Sequence, residues 1–424
     1  MNKRDYQPGE AYAAASDLAD PIREYRNRFN FPNFSDGREL IYFTGNSLGL
    51  QPKTAREYID QELDDWARFA VEGHIRARHP WLPYHEFVTE PMARVIGARP
   101  IETIVMNSLT VNLHLMLVSF YRPEGRRKKI AIEKGAFPSD QYAVKSQLRF
   151  HGVEPEEGLI ELSPRDCEST LRTEDIVETI GKNGDEVALV LLGGVNYYTG
   201  QAFDLPAITE AGHKAGAIVG FDLAHAAGNL QLHLHDWDVD FAVWCSYKYL
   251  NAGPGGIAGA FVHERHANSF DLPRFVGWWG HNKRTRFLMG PEFDPLPGAE
   301  GWQLSNPPIF QLAALRASLE IFDDAGMSNL RAKSEALTGY LVYLLNQIDD
   351  DRISIITPRD PAHRGCQLSI RVKDSDKLLF DAITDRGVIA DWREPDVIRV
   401  APTPLYNSYT EVFRFSTILE ECLR

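Results

Sequence analysis

The sequence predicts an α/β protein: a mostly parallel central sheet with helices on both faces, followed by a smaller α/β domain at the C-terminal end. Three observations predict it. Uninterrupted apolar runs alternate with helix-period stretches through the middle of the chain, polar and ionisable residues directly follow several of those runs, and the texture changes near residue 327. Strands buried on both faces read as continuous apolar runs, and the helices that cross between parallel strands cover those faces. A chain of 424 residues accommodates one large unit and one smaller one. The expected division is a segment 1–50, a large domain 51–326 and a small domain 327–424, the first segment packing on the small domain or crossing to a partner subunit.

In chain order, residues 52–73 place Ala55, Tyr58, Ile59, Leu63, Trp66 and Phe69 at intervals of three and four, with acidic residues between them, which predicts an amphipathic helix. Residues 107–121 (NSLTVNLHLMLVSFY) open on capping residues and continue apolar on nearly all sides, as a helix buried against a sheet does. Its N-terminus is a candidate anion seat. Then come a strand KKIAIE, a helix FPSDQYAVKSQLRFHG, a strand at 187–194, and a helix started by Asp204 and Pro206 and stopped near Gly216. Residues 217–222, 241–245 and 256–262 add three more buried runs. Beyond 327 the pattern gives a long helix (328–346), strands ISIITP and GCQLSIRV, a helix 375–386 and a strand VIRVAP.

Composition excludes several classes of function. With 45 basic against 59 acidic side chains the formal charge is −14, which opposes docking on phosphate backbones, so nucleic acid is not an expected partner. Cys167, Cys245, Cys366 and Cys422 have neither a disulfide framework nor the paired spacing that grips zinc, which points to a reducing compartment. The first twenty residues carry charges and a proline where a secretory signal needs an apolar run, and no stretch of about 18 apolar residues occurs. Cytoplasmic residence without membrane contact is the expectation.

The chemistry is concentrated in GFDLAH and SYKYLN. Asp222 closes one apolar run and Lys248 follows another, so neighbouring strands can present a carboxylate and an amine to one bound molecule at the carboxyl edge of the sheet. Taken singly, a carboxylate ending a strand is often a helix cap and a loop lysine is usually solvated. Together, and followed by Gly253-Pro-Gly-Gly256, they match what pyridoxal phosphate needs: a lysine to condense with its aldehyde, a carboxylate to keep its ring nitrogen protonated, and donors for its phosphate. His233, His235 and Asp236 resemble metal ligands only out of context, and no metal is expected.

The stretch GFDLAHAAGNLQLHLHDWDVDFAVWCSYKYLNAGPGGIAGAFVHERH closely resembles the kynureninase family, as do YFTGNSLGLQP, AFPSDQYA, GVNYYTGQ, GWWGH, LSNPP and VIRVAPTPLYNSY, so that the likeness runs from about Tyr42 to Phe415. The resemblance implies pyridoxal 5'-phosphate and the fold of the aspartate-aminotransferase type (fold type I, close to the class V aminotransferases). It implies a homodimer with the active site at the subunit interface, and a hydrolase acting on the carbon–carbon bond of L-kynurenine or 3-hydroxy-L-kynurenine. The products are then L-alanine and anthranilate or 3-hydroxyanthranilate, in tryptophan breakdown or in the biosynthesis of NAD. By the same resemblance Lys248, Tyr247 and Asp222 are catalytic. Leu109, Thr110, Phe137, Pro138, Ser139, Asp140, Asp222, His225, Tyr247, Lys248, Trp278 and Asn306 hold the cofactor, Trp278 and Asn306 arriving from the other subunit. His74, Ser305, Asn306 and Arg399 meet the substrate, Arg399 at its α-carboxylate.

Other classes remain open at this level. A cysteine desulfurase or class V aminotransferase would share Asp222 and Lys248, but a desulfurase needs a reactive cysteine on a mobile loop, and none of the four is obviously placed so. A nicotinamide oxidoreductase would need an ordered glycine fingerprint after a first strand, which residues 253–259 lack. A catalytically silent binding protein would release no anthranilate.

Overall fold

The computed structural model describes residues 5–373 and 377–424. Its central sheet has seven strands: β1 (Thr103–Val105), β2 (Lys129–Glu133), β3 (Leu159–Leu162), β4 (Val187–Gly193), β5 (Ile218–Asp222), β6 (Phe241–Cys245) and β7 (Ala258–Val262). They lie in the order β1-β7-β6-β5-β4-β2-β3. Pairings from β6 through to β3 are parallel. β7 runs antiparallel to both β6 and β1, because no helix intervenes between β6 and β7 and a parallel return would need such a crossover.

Alternation along each strand feeds two apolar layers. Leu192, Phe221 and Trp244 enter one, whereas Leu191, Ile132 and Val243 enter the other. The predicted helices cover these faces as Leu109–Phe120, Pro138–Phe150 and Leu205–Lys214, the last capped by Asp204, whose side chain accepts from the Ala207 amide. At the C-terminal end, β8 (Ile353–Ile355), β9 (Leu368–Val372), β10 (Asp391–Arg393) and β11 (Val397–Val400) form an antiparallel sheet in the order β8-β9-β11-β10. Helices Met327–Leu345 and Tyr409–Leu423 share its core through Leu337, Leu341, Ile370, Ile398 and Phe415. The N-terminal helix Glu10–Ala19 packs here too: Ala13 belongs to that core, and Asp17 accepts the amides of Tyr409 and Thr410 at 2.6 and 3.0 Å. The helix predicted over 375–386 is seen as Lys377–Asp385; its expected start at Ser375 lies outside the described residues.

One predicted face is turned. In the helix Ala55–Phe69, Leu63 and Trp66 are exposed while Glu62 and Asp65 are buried. Glu62 accepts from Trp81 Nε1 at 3.0 Å and Tyr84 Oη at 2.8 Å, and Asp65 accepts the Arg78 amide at 2.8 Å. Those donors offset the desolvation of the two carboxylates and set the helix's rotation.

Asp240, just ahead of β6, is a second buried acceptor. It takes Val219 N at 2.8 Å, His213 Nε2 and His266 Nε2 at 2.9 Å, and Arg265 Nη2 at 2.7 Å. Burial pushes its carboxyl up, but the two histidines and the Arg265 guanidinium outweigh that and hold it well below the usual range. Its folded pKa being below the unfolded one, the stabilisation is complete above about pH 4 and fades as pH falls further. Asp240→Asn should therefore cost about 3 kcal/mol at neutral pH, with the deficit shrinking in acid, as read from urea unfolding at two pH values. Equal midpoints for the two proteins at pH 7 would refute the role.

Candidate active site

Three parallel strands end side by side in polar groups. Glu133 ends β2, Gly193 ends β4 and Asp222 ends β5, while Tyr247 and Lys248 follow β6 by a few residues. Across them lies a cleft of about 90 Å³, lined by Leu109, Thr110, Phe137, Ser139, Asp140, Asp222, His225, Tyr247 and Lys248 among the expected residues. Such clefts form where parallel strands deliver side chains beyond the sheet edge.

Lys248 Nζ lies 3.1 Å from His225 Nε2 and 5.8 Å from the centre of the Phe137 ring. Burial, then the neighbouring Lys248 and Arg399 charges, push His225 well below its ordinary pKa, so it is neutral and can accept from the amine. Asp222 accepts the Ala224 amide at 2.7 Å. Burial nevertheless raises its pKa, opposed by that amide and by Lys248. Asp140 is raised further, by burial and by the nearby Asp222 and Glu133 carboxylates. Burial also raises Glu133, although Gly193 N at 3.0 Å and Asn196 Nδ2 at 2.9 Å donate to it. Burial lifts Tyr247, which stays a phenol at neutral pH and can donate a proton.

The cleft is thus rich in buried carboxyls and short of positive charge. Asp140 Oδ1 and His225 Nδ1 are buried without a hydrogen-bond partner. A ligand with a cationic ring and polar edges would satisfy both deficits, and pyridoxal phosphate is such a ligand. The helix Leu109–Phe120 brings its first turn to the cleft with no side-chain cap from Ser108, and Thr110 Oγ1 lies 2.9 Å from Ser139 Oγ, so amides and two hydroxyls are available for a phosphate. Phe137, half-exposed, meets Tyr197 edge-on with ring centres 5.2 Å apart.

Arg399 is fully buried on β11, pairing with Asp391 and donating from Nη1 to the Tyr197 carbonyl at 2.6 Å, while its Nε is unpartnered. Through Tyr197 it adjoins the cleft without lining it. Pro138 opens the helix Pro138–Phe150 beside the cleft. Four expected residues are not brought to this cleft within one chain. His74 bonds Val71 O at 2.9 Å, Trp278 donates to Arg286 O at 3.2 Å, and Ser305 and Asn306 are exposed. Glu133, Gly193, Val195 and Tyr197 line the cleft without having been singled out from the sequence, although Glu133 obeys the same rule as Asp222, a polar residue closing an apolar run.

His235, flagged above for its spacing, sits with Glu102 and His263. His235 Nδ1 is 2.8 Å from Glu102, and His263 Nδ1 accepts the Arg265 amide at 3.1 Å, which fixes the proton on Nε2. A histidine so held is a poor ligand through that nitrogen, and the group braces β7 against β1.

The fold is that of the fold type I pyridoxal phosphate enzymes. The cysteine desulfurase CsdA from Escherichia coli superposes with a TM-score of 0.76 at 16% identity, over 94% of this chain and 98% of that one. The cysteine desulfurase of Thermococcus onnurineus NA1 gives 0.75 at 18%, over 90% and 94%. Within that class sequence similarity is more specific. Residues 330–419 match the model of the kynureninase C-terminal domain. A kynureninase of Myxococcus xanthus (strain DK1622) is 63% identical over 415 residues, 98% of this chain and 97% of its own. Another, of Koribacter versatilis (strain Ellin345), is 60% identical over 406 residues, 96% of each. The chain belongs to the kynureninase family.

Proposed function

We propose that this chain hydrolyses L-kynurenine, 3-hydroxy-L-kynurenine or both between Cβ and Cγ, giving L-alanine and anthranilate or its 3-hydroxy form, with pyridoxal 5'-phosphate as cofactor. The observation that carries the reading is Asp222 and Lys248 meeting in one cleft of a chain from this family. When bound, the cofactor supplies an aldehyde for an amino group and a conjugated ring that takes up electrons. The protein's own groups do the rest. Lys248 would hold the aldehyde, and its Nζ would be placed to take up the substrate's α-proton, with neutral His225 accepting a hydrogen bond from it. Asp222 would keep a proton on the ring nitrogen, Leu109, Thr110 and Ser139 would hold the phosphate, and Phe137 would border the ring. Water would add to the γ-carbonyl, the Cβ–Cγ electron pair would pass to Cβ as the aryl acid leaves, and Tyr247 would supply the proton that Cβ takes up. Incubation with L-kynurenine and measurement of anthranilate fluorescence test the activity directly; no release from cofactor-loaded protein would refute it.

Arg399 grips the α-carboxylate, its unpartnered Nε adding to the donors that a planar fork can offer. Loss of a charge-assisted pair worth about 1.5–3 kcal/mol should raise KM for Arg399→Ala by roughly 10- to 150-fold, with a smaller fall in kcat. An effect confined to thermal stability would mean that Arg399 serves only Asp391.

A desulfurase reading finds less support. Cys245 and Cys366 are buried, and the exposed Cys167 stands between β3 and the helix Thr173–Lys182, not among the cleft residues. A homodimer accounts for the four residues left outside the cleft. Beside His74 in the chain Val71 and Ile75 are exposed, and beside Trp278 Val276, Leu288 and Met289, apolar side chains of the kind that partners cover. His74, Ser305 and Asn306 then reach the aryl end of the substrate across the interface, and Trp278 and Asn306 the phosphate. The division into 1–50, 51–326 and 327–424 places the cofactor on the large domain and Arg399 on the small one. Among the described residues no helix is long and apolar enough to cross a membrane; cytoplasmic residence and a place in tryptophan breakdown or NAD biosynthesis belong to this same proposal.

A further inference from the structure

A second cavity, of about 480 Å³, opens between the helices Ala55–Phe69, Glu86–Ile96 and Ile309–Ala325, and shares no lining residue with the cleft of Lys248. Its floor is Arg316. That side chain is 9% exposed, yet it forms no ion pair and donates no hydrogen bond among the described residues, and its Nη1 is buried without a partner. A guanidinium cannot shed its charge as a buried lysine can, so it must be compensated or remain costly.

The aromatic rings around it are an incomplete answer. The Arg316 Cζ lies 4.6 Å from the Tyr58 ring centre and 5.4 Å from that of Tyr84, contacts that occupy the faces of the cation. They leave its in-plane N–H groups, the ones that match an oxyanion, unspent. The nearby buried carboxylates are committed elsewhere: Glu62 to Trp81 and Tyr84, Asp65 to Arg78 N and Gln61. Glu320 takes the Tyr58 hydroxyl. Exposed Arg78 adds a second cation to the lining, and His79, kept low by burial and by Arg316 and Arg78, adds a neutral donor. Phe87, Pro91 and Leu319 form an apolar part of the wall, and Glu57, Gln61 and Glu320 complete the lining, the two carboxylates standing against the two guanidiniums.

We infer that this cavity binds an oxyanion, a small organic carboxylate or inorganic phosphate, on the in-plane donors of Arg316. Both sources offer the same chemistry, two oxygens for one planar fork; the apolar wall suits a carboxylate with a hydrocarbon body, and Arg78 suits phosphate. The inference stands apart from the reaction proposed above, since none of its residues takes part there.

Cofactor-loaded protein, its phosphate seat already filled, is titrated with sodium benzoate or sodium phosphate against sodium chloride at equal ionic strength, and Tm is followed. A saturable rise of about 2 °C at ten times the dissociation constant is expected from one or both oxyanions, and which of them acts identifies the source. In Arg316→Met the rise should vanish while the visible absorbance of the bound cofactor is kept. If that variant does not fold, Arg78→Ala replaces it and should weaken apparent affinity several-fold. No rise beyond that in chloride, or the same rise in the variants, overturns the inference. So does a wild type indifferent to both anions whose dimer dissociates more readily on loss of Arg316, because the missing carboxylate is then the partner subunit's.

Discussion

Lys248→Ala should lose the visible absorbance of lysine-bound cofactor and roughly 10⁴-fold or more of kcat, since one amine is both anchor and proton acceptor. The geometry makes this the largest effect in the molecule. Nζ is 3.1 Å from a neutral histidine, close to Asp222 and Asp140, and faces the ring of Phe137. Among the described residues no other lysine lines the cleft to take over either task. Absorbance at fixed cofactor concentration and single-turnover release of anthranilate measure the two roles separately. A variant with ordinary turnover would remove the basis of the mechanism.

Asp222→Asn comes next. Replacing the carboxylate removes the charge that keeps a proton on the cofactor ring, and a charge-assisted bond of about 1.5–3 kcal/mol translates into a loss of kcat of roughly 10- to 150-fold, more if the proton is lost altogether. Stability should move the other way. Burial raises the folded pKa of Asp222, so its contribution is present below the ordinary carboxylate pKa and is lost as pH rises through the raised value. In cofactor-free protein at pH 8 the ionised side chain is therefore a burden, and the amide should leave Tm unchanged or slightly higher. A fall of several degrees with kcat intact would instead make Asp222 a structural cap, held by the Ala224 amide.

The sheet was readable because its strands are buried on both faces, so that VALVLLG and FAVWC carry no polar interruption. Asp222 and Lys248 were readable for a related reason, since a polar group right after such a run must leave the apolar layer at the sheet's edge. Glu133 obeys the same rule at the end of KIAIE, where the short apolar body of the strand masks the signal of its last residue. The rotation of the helix Ala55–Phe69 had no local signal: Trp81, Tyr84 and Arg78, which draw Glu62 and Asp65 inward, all lie beyond its end. Trp278, Asn306, Ser305 and His74 stand away from the cleft in a single chain, and no pattern in the sequence states which surface meets them. The antiparallel β7 was legible only in hindsight, from the lack of a helix between residues 245 and 258.

Gly49 ties the chain's beginning to Lys248. Its amide donates to the Tyr247 carbonyl at 2.8 Å, and any Cβ there would fall 2.3 Å from the Lys248 carbonyl oxygen. Four residues earlier Gly45 lies equally close to Thr403 and Tyr406, and Thr44 bridges to Ala401. The turn that carries the amine is therefore set by two stretches at opposite ends of the polypeptide. A nascent chain that has already made every strand of the central sheet still lacks Ala401, Thr403 and Tyr406, so the stretch that carries Gly45 and Gly49 is not yet seated on both of its sides.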